Sequence, residues 1–112
     1  MIETDFLEFL LHKIEEKGYL EEPANPPQRY FTVERTSGGG NRFVREATIA
    51  VKAYAPTLAE AAALSHEIVK AADDFIENEK VTRCALNTEA NFTDLQRRRH
   101  RYQAVFDISY YE

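Results

Sequence analysis

The sequence predicts an α+β domain built in two layers, in which two helices cover one face of a four-stranded, mainly antiparallel sheet. Three observations support this prediction. Two segments carry apolar residues at the three- and four-residue spacing of an amphipathic helix. Four other segments carry apolar residues at alternate positions, as half-buried strands do. Each helical segment precedes a pair of strand segments, which gives the order α-β-β-α-β-β and one domain over residues 1–112.

Both helices have recognisable ends. The first is predicted over Asp5–Lys17, with Gly18 placed as the residue that ends it. The second is predicted over Thr57–Asn78, where Thr57 and Glu60 have the spacing of a capping box. In such a box each side chain bonds the backbone N–H of the other residue, so the second helix has the stronger signal. The apolar stripe of the first helix is formed by Phe6, Leu7, Leu10, Leu11 and Ile14.

Four strands are predicted from alternation and from the glycines and prolines between them. They lie at Tyr30–Arg35, Phe43–Tyr54, Val81–Asn87 and Arg101–Tyr111. The segment Thr36–Asn41 contains three consecutive glycines, which predicts a flexible hairpin loop between the first two strands. The proline-rich segment before the first strand is expected to run extended along the surface, because proline has no N–H to donate.

Placing both helices on one side leaves the other face of the sheet open. Alternation assigns Cys84 and Leu86 to the covered face, and Tyr54, Val105 and Tyr111 to the open face. An antiparallel sheet can expose such a face to water. It can equally contact a neighbouring subunit, because tyrosine is favoured at protein interfaces. Tyr54 and Tyr111 are therefore interface candidates.

Charge is unevenly distributed along the chain, whose formal net charge is −5. The predicted helices are acidic, whereas the strands and their loops are basic or nearly neutral. The overall sign argues against a dedicated DNA- or RNA-binding domain. A folded subunit with an acidic side and basic loops could attract copies of itself, although ordinary solvated surface gives the same pattern.

The sequence predicts no enzyme, no metal site and no cofactor. His12, His66 and His100 lie in separate predicted elements, and none stands at ligand spacing from another histidine, a cysteine or a carboxylate. The glycines at 38–40 lack the lysine and hydroxyl residue of a phosphate-binding loop. The single cysteine, Cys84, cannot form an internal disulfide and fits a reducing compartment. No apolar segment reaches the roughly 20 residues of a membrane span.

The most unusual segment is Arg97-Arg98-Arg99-His100-Arg101, which has arginine at four of its five positions. Three interpretations remain open. The segment is a solvated entry to the last strand, a contact with an acidic neighbouring subunit, or a contact with DNA phosphates. No aromatic residue is interleaved among the arginines, which disfavours binding of a nucleic-acid single strand by stacking.

Several short motifs, taken in order, resemble small tail proteins of long-tailed phages. Residues 31–40 (FTVERTSGGG), followed by residues 42–44 (RFV), resemble the hairpin of those proteins. Residues 49–57 (IAVKAYAPT) and the alanine-rich helix after them continue the similarity, and residues 101–108 (RYQAVFDI) extend it into the last strand. Together these motifs make the chain similar to the tail terminator or tail completion family.

The similarity covers roughly residues 4–111, which is nearly the whole chain. The chain departs from the family pattern in two places. Where relatives often have tryptophan, this chain has Tyr54, and its loop at 88–99 is its own.

The resemblance implies a structural role in a virion. Members of that family are α+β subunits that form a hexameric ring on the end of the tail tube and stop its polymerisation. The ring offers a surface to the head–tail connector, and double-stranded DNA passes through its centre without sequence-specific binding. The implied partners are therefore further copies of this chain, the tail tube protein and the connector protein, with no membrane. The implied location is the tail of a phage or prophage virion, assembled in the cytoplasm of the host bacterium.

The resemblance also assigns surfaces. Strand faces and edges would form the contacts between subunits, while the loops at 37–42 and 92–99 would touch the tube or the connector. The interface candidates are Ser37, Gly38, Gly39, Gly40, Asn41, Arg42, Tyr54, Phe92, Arg97, Arg98, Arg99, Arg101 and Tyr111.

Two alternatives remain. A neck or head-completion adaptor of the same virion would also build a ring without performing chemistry. A small-molecule-binding α+β domain or an enzyme would need a polar pocket between sheet and helices. The residue types predicted to face each other there are alanine, isoleucine, leucine, phenylalanine and valine, which pack together instead.

Overall fold

Five strands form one mixed sheet in the computed structural model, which describes residues 1–111 of the chain. Glu112, the last residue of the predicted domain, lies outside the described residues. Two α-helices and a short 3-10 helix at Asp73–Glu77 accompany the sheet. The other elements, in chain order, are α1 (Ile2–Lys13), β1 (Lys17–Tyr19), β2 (Tyr30–Gly40), β3 (Val44–Ala55), α2 (Leu58–Ala72), β4 (Val81–Asn91) and β5 (His100–Tyr111). The class is α+β, as the sequence predicts, with one strand more than the expected four.

The strands lie in the order β1-β2-β3-β5-β4. β1 runs parallel to β2, and the other neighbouring pairs are antiparallel. The two strands at the centre pair along their whole lengths, β3 against β5. Side chains from both helices and from one face of the sheet join in the same hydrophobic cluster, so the helices cover that face and leave the other one open.

The first helix is shorter than predicted, and the residues after it form a strand. α1 ends at Lys13, because Ile14 adopts an extended conformation with φ −114° and ψ 133°. The chain then forms β1, which pairs with the start of β2. Gly18, predicted to end the helix, lies inside β1 opposite Phe31, where a Cβ atom would be 2.4 Å from the phenyl ring. Glycine at this position lets β1 approach a buried aromatic side chain.

The glycine segment belongs to a strand and does not form the flexible loop predicted over 36–41. β2 continues to Gly40, and its three glycines pair with residues 45–47 of β3. The chain reverses only at residues 41–43. There the side-chain oxygen of Asn41 accepts hydrogen bonds from the N–H groups of the second and third residues after it, at 2.8 and 2.9 Å. Because this side chain closes the turn, the glycines remain in the ladder with β3.

The core between helices and sheet is centred on a group of phenylalanines. Phe6 of α1 is fully buried, and its ring centroid lies 4.8 Å from that of Phe75 and 5.4 Å from that of Phe106. α2 begins as predicted, since the N–H of Glu60 donates to the hydroxyl of Thr57 at 3.2 Å. Two of the five buried residues of α2 are alanines, which let the helix lie close to the sheet. The five buried residues are Ala61, Leu64, Ser65, Ile68 and Ala72.

β4 forms one edge of the sheet, which changes the environment of the two residues assigned to its covered face. Cys84 packs against the core, and burial raises the pKa of its thiol to about 12, so the thiol stays protonated at neutral pH. Leu86 faces the same side but is 44% exposed. The expectation that Leu86 is buried is wrong, because α2 packs mainly over β3 and β5 and leaves this edge uncovered.

Candidate interaction surface

One end of the open sheet face carries a row of tyrosine and arginine side chains. The strand register aligns Lys17, Tyr30, Tyr54 and Arg101 across β1, β2, β3 and β5. The rings of Tyr30 and Tyr54 are stacked, with centroids 4.4 Å apart and an angle of 3° between their planes. Tyr19 meets the ring of Tyr30 edge-on at 6.1 Å. Three aromatic rings in contact therefore cover this end of the open face from β1 to β3.

Arg101 continues the row and holds Phe92 against it. Its guanidinium carbon lies 4.5 Å from the ring centroid of Phe92 and 6.0 Å from that of Tyr54, and its Nε donates to the backbone carbonyl of Phe92. The ammonium group of Lys52 lies 5.7 Å from the same Phe92 ring. Cations are attracted to the faces of aromatic rings, so these contacts fix Phe92 on the open face, where it is 44% exposed.

Glu22 binds side chains from two distant parts of the chain. The phenol O–H of Tyr30 donates to Glu22 at 2.8 Å, while Arg99 donates to the phenol oxygen at 2.7 Å and also to Glu22. Arg97 adds an ion pair with Glu22 at 3.6 Å. These four residues are called the Glu22 cluster below. The cluster ties the proline-rich segment to the start of β5.

The Glu22 cluster changes the acidity of its members. The hydrogen bond from Tyr30, assisted by the charges of Arg99 and Arg97, lowers the pKa of Glu22 below the ordinary value of 4.5, although partial burial acts in the opposite direction. Burial, together with the hydrogen bond to Glu22, raises the pKa of the Tyr30 phenol. At neutral pH the cluster therefore contains a carboxylate, a neutral phenol and two guanidinium groups.

Replacing Glu22 by glutamine should make the free energy of unfolding less dependent on pH. A carboxyl group whose pKa is lower in the folded state than in the unfolded state stabilises the fold above its ordinary pKa. That stabilisation is lost as the pH falls below 4.5 and through the folded-state pKa. We expect E22Q to cost about 1 kcal/mol at pH 7, since the site is partly screened by solvent, and to cost less at pH 3.

Urea denaturation of wild type and E22Q between pH 3 and pH 7 measures this effect. The matched control is E21Q, which alters the exposed neighbouring carboxylate and should leave the pH dependence of wild type unchanged. Equal pH profiles for E22Q and wild type would show that the Glu22 cluster does not stabilise the fold.

The turn that joins β4 to β5 is closed by backbone and side-chain hydrogen bonds. Asp94 and Arg99 exchange two backbone hydrogen bonds of 2.9 and 3.0 Å, and the Asp94 carboxylate accepts from the N–H groups of the second and third residues after it. Arg98 has φ +53°, an uncommon conformation for a residue with a side chain. Leu95 in the same turn is 84% exposed. The turn therefore presents a leucine and an arginine to solvent on a fixed backbone.

The structure separates the four arginines that the sequence places together. Arg97 pairs with Glu22 and with Asp94, Arg99 belongs to the Glu22 cluster, and Arg101 binds Phe92. Across residues 1–111, the Arg98 side chain makes no hydrogen bond or ion pair. Three of the four charges are thus engaged within the subunit, and Arg98 is the one left available for a carboxylate or a phosphate of a partner.

The other interface candidates lie at two ends of the sheet. Residues 37–40 end β2, and Asn41 with Arg42 forms the exposed hairpin tip, close in register to Tyr111, which is 49% exposed. Phe92 lies at the opposite end, beside Tyr54. Tyr54 is on the open face as predicted but is only 6% exposed, because it is stacked on Tyr30. Its ring shapes the surface and offers little area to a partner.

Sequence reasoning placed Tyr30 on the open face, but it did not identify Glu22 or Leu95 as members of this surface. The pairing of Glu22 with Arg99 joins residues 77 positions apart, and no local spacing reveals such a contact. A signal for Leu95 is present in the sequence, since it is an apolar residue inside an otherwise polar loop. The aspartate before it is a usual turn residue, because its side chain can bond nearby N–H groups.

Two long edges of the sheet have no partner strand in the described chain. β4 pairs only with β5, so one edge of its 11 residues is free. β1 covers β2 only at Tyr30–Thr32, which leaves the edge of β2 free from Val33 to Gly40. Edges of this kind expose N–H and C=O groups that can bind another strand. The two free edges lie on opposite sides of the subunit.

No set of three or more histidine, cysteine, aspartate or glutamate side chains within the described part of the chain is arranged to hold a metal ion. Among residues 1–111, no helix combines the length and apolar character needed to cross a lipid bilayer. In comparisons with known proteins, no family model and no curated protein matches the chain. The similarity to tail terminators remains a prediction from the motifs quoted above.

Proposed function

We propose that this chain is a tail terminator or tail completion subunit of a long-tailed phage or prophage. In this proposal, copies of the chain form a ring on the end of the tail tube, stop its polymerisation and join the tail to the head connector. The observation that carries the proposal is the pair of free sheet edges on opposite sides of one subunit, at β4 and at residues 33–40 of β2.

Two different free edges favour a ring. If β4 of one copy contacts the open edge of β2 in the next copy, each subunit uses two unlike surfaces, and the contact is head-to-tail. Head-to-tail contacts close into a ring when the rotation between subunits divides a full turn. The family resemblance sets the expected number at six subunits.

The shape of the subunit suits contacts on both sides of such a ring. The hairpin tip at residues 41–43 lies at one end of the sheet, and the turn at 94–99 lies at the other. The long axis of the molecule measures 42 Å. One end would contact the tube and the other the connector, with double-stranded DNA passing through the centre of the ring. No sequence-specific DNA contact is part of the proposal, and the net charge of −5 agrees with that.

Measurement of mass in solution tests ring formation. Light scattering or native mass spectrometry on the purified chain, alone and with short tail tubes added, should detect a closed oligomer, expected to be a hexamer. A monomer at every concentration, both with and without tubes, would contradict the proposal.

Tail assembly tests the biological role. Deleting the gene from its phage or prophage should give tails of uncontrolled length, because tube polymerisation would have no stop. Finished tails of normal length beside unjoined heads would instead identify a neck or head-completion adaptor, the alternative within the same virion. Electron microscopy of the particles distinguishes these two outcomes.

One observation favours the alternative of a small-molecule-binding domain or enzyme. A groove of about 280 Å³ lies at the end of the open face, between the proline-rich segment and the start of β5, beside Tyr30, Pro56 and Arg98. The volume of this groove is close to that of the smallest ligand pockets in proteins, which begin at roughly 300 Å³. A thermal-shift screen that gave clear stabilisation by one metabolite would favour this alternative over the ring.

A further inference from the structure

The groove at the start of β5 is built by three separate parts of the chain. One wall is the proline-rich segment before β2, a second is the end of β3 with the residue after it, and the third is the turn that leads into β5. Its volume is about 280 Å³. It is called the proline groove below, after the residues that give it its character, which are Pro26, Pro27, Pro56, Arg98, Arg99 and His100.

The proline groove carries positive charge. Arg98 is exposed, and its side chain makes no hydrogen bond or ion pair within residues 1–111. The charge of Arg99 is balanced by Glu22, which binds it from outside the groove. Among the described residues that line the groove, none is acidic. The guanidinium of Arg98 is therefore available to an anion that enters the groove.

His100 has a ring nitrogen without a partner. Its Nδ1 is buried and makes no hydrogen bond within the described part of the chain. Buried polar atoms are almost always hydrogen-bonded, so an exception calls for an explanation. The His100 ring lines the same groove as Arg98, and rotation about its Cβ–Cγ bond would turn Nδ1 toward the space inside. An oxygen atom of a ligand would then supply the missing partner.

The size and the floor of the proline groove limit what it can hold. Its volume is close to that of the smallest ligand pockets. Tyr30 and Tyr54 line it but are only 2% and 6% exposed, because their rings are stacked on each other, so neither offers a face to a planar ligand. The proline rings form stiff apolar walls without N–H donors. The groove therefore suits one acidic side chain of a longer chain better than a whole metabolite.

From these observations we infer that the proline groove binds an acidic side chain on an extended peptide segment of a partner protein. The carboxylate accepts hydrogen bonds from the Arg98 guanidinium, whose paired N–H groups match its two oxygens. The His100 ring turns and donates from Nδ1 to the same carboxylate. The apolar stem of the acidic side chain packs against the proline rings. The partner segment is acidic because the unbalanced charge of the groove is positive.

The inference goes beyond the proposed function and does not require a ring. If the ring forms, the groove lies at the end of the subunit opposite the hairpin tip, where the tube or the connector would be contacted. An acidic segment of that protein would then be the occupant.

Titration with a synthetic peptide, followed by NMR of the histidine rings, tests the inference. The probe is acetyl-GAEEAG-amide, and its control is acetyl-GAQQAG-amide, which has the same shape without the charge. We expect the first peptide to bind with a dissociation constant of about 1 mM or lower and the second at least about tenfold more weakly. The ring signals of His100 should move, while those of His12 and His66, which lie on the two helices, should stay in place.

Substitution of Arg98 locates the binding site. R98Q should weaken binding of the acidic peptide at least about fivefold, and R98K about twofold to threefold, because lysine keeps the charge but loses the paired donors. R83Q is the matched control, since Arg83 is also an exposed arginine but pairs with Ser109, at the other end of β5. It should bind the peptide within about twofold of wild type. Melting temperatures confirm that the variants are folded.

Each further outcome decides the inference. Equal binding by R98Q and wild type, or by the two peptides, would overturn it. Tighter binding of glutarate or inorganic phosphate than of the acidic peptide would assign the groove to a small free anion and would also overturn it. The ring proposal is judged separately by oligomer mass and tail length, so either of the two can fail while the other stands.

Discussion

Replacing Phe6 by alanine is expected to lower the free energy of unfolding by about 3–5 kcal/mol. Phe6 is fully buried and is the point at which α1, the 3-10 helix and β5 meet, through ring contacts with Phe75 and Phe106. Truncation removes the apolar area of the ring and leaves a cavity. The neighbouring rings cannot fill this cavity without leaving their own contacts, so the cost should lie near the upper part of the usual range.

Urea denaturation followed by far-UV circular dichroism measures this change. F43A is the matched control, because Phe43 lies at the hairpin tip and is 69% exposed. The same truncation there should alter the free energy of unfolding by no more than about 0.5 kcal/mol. A cost below about 1 kcal/mol for F6A would mean that Phe6 does not hold the two layers together.

The elements that could be predicted are those with a long, regular pattern. β5 alternates as expected, with Ala104, Phe106 and Ile108 buried against the helices. α2 combines a capping pair with several turns of apolar periodicity, and its start is correct. In both cases one local pattern is enough, because the side chains of each element bury one face against the same core.

β1 could not be predicted, because its stability is not local. It has three residues, too few to show alternation, and its partner strand begins 11 residues after β1 ends. Gly18 carries the signal of a helix end, yet the need for glycine comes from the Phe31 ring, which packs within 2.4 Å of where its Cβ would lie. The rule for helix ends therefore singled out Gly18 for the wrong reason, because this glycine makes room for the Phe31 ring and does not end the helix.

The sequence could predict which side chains lie on the open face of the sheet, but it could not predict which of them contact one another. Alternation placed Tyr54 on the open side, whereas its burial depends on stacking with Tyr30 of the neighbouring strand. The arginine segment was recognisable from composition alone. Which of its charges are neutralised depends on Glu22, which lies more than 70 residues earlier in the chain. Long-range pairing of this kind distinguishes Arg98 from the other three arginines.

The hairpin tip and the turn at residues 94–99 lie at opposite ends of the sheet, and each is closed by an amide or a carboxylate side chain. Asn41 closes the hairpin, and Asp94 closes the other turn. Both tips are thus ordered before any partner binds, so association would require little further ordering of the backbone. Preorganised tips suit a subunit that must contact different proteins on its two sides, as the proposed ring does.

Gly40 to alanine is expected to lower the free energy of unfolding by about 2–3 kcal/mol and to loosen the hairpin tip. Gly40 has φ +97°, which a residue with a side chain adopts only with strain. A Cβ atom there would also lie 2.4 Å from the carbonyl oxygen of Val44 and 2.8 Å from the Cα of Arg45. Both are backbone atoms within the turn and its strand, so neither can move aside without breaking the pairing of β2 with β3.

The neighbouring glycine supplies the control for this prediction. A Cβ atom at Gly39 would meet nothing within 4 Å, so G39A should stay within about 0.5 kcal/mol of wild type or stabilise it slightly. Urea denaturation measures the difference in stability, and hydrogen exchange of residues 36–48 measures the loosening of the hairpin. At a temperature where both variants are folded, G40A should assemble on tail tubes more weakly than G39A, because the tip that would meet the partner is no longer ordered. Equal stability and equal assembly of the two variants would show that the tip conformation matters neither to the fold nor to the proposed contact.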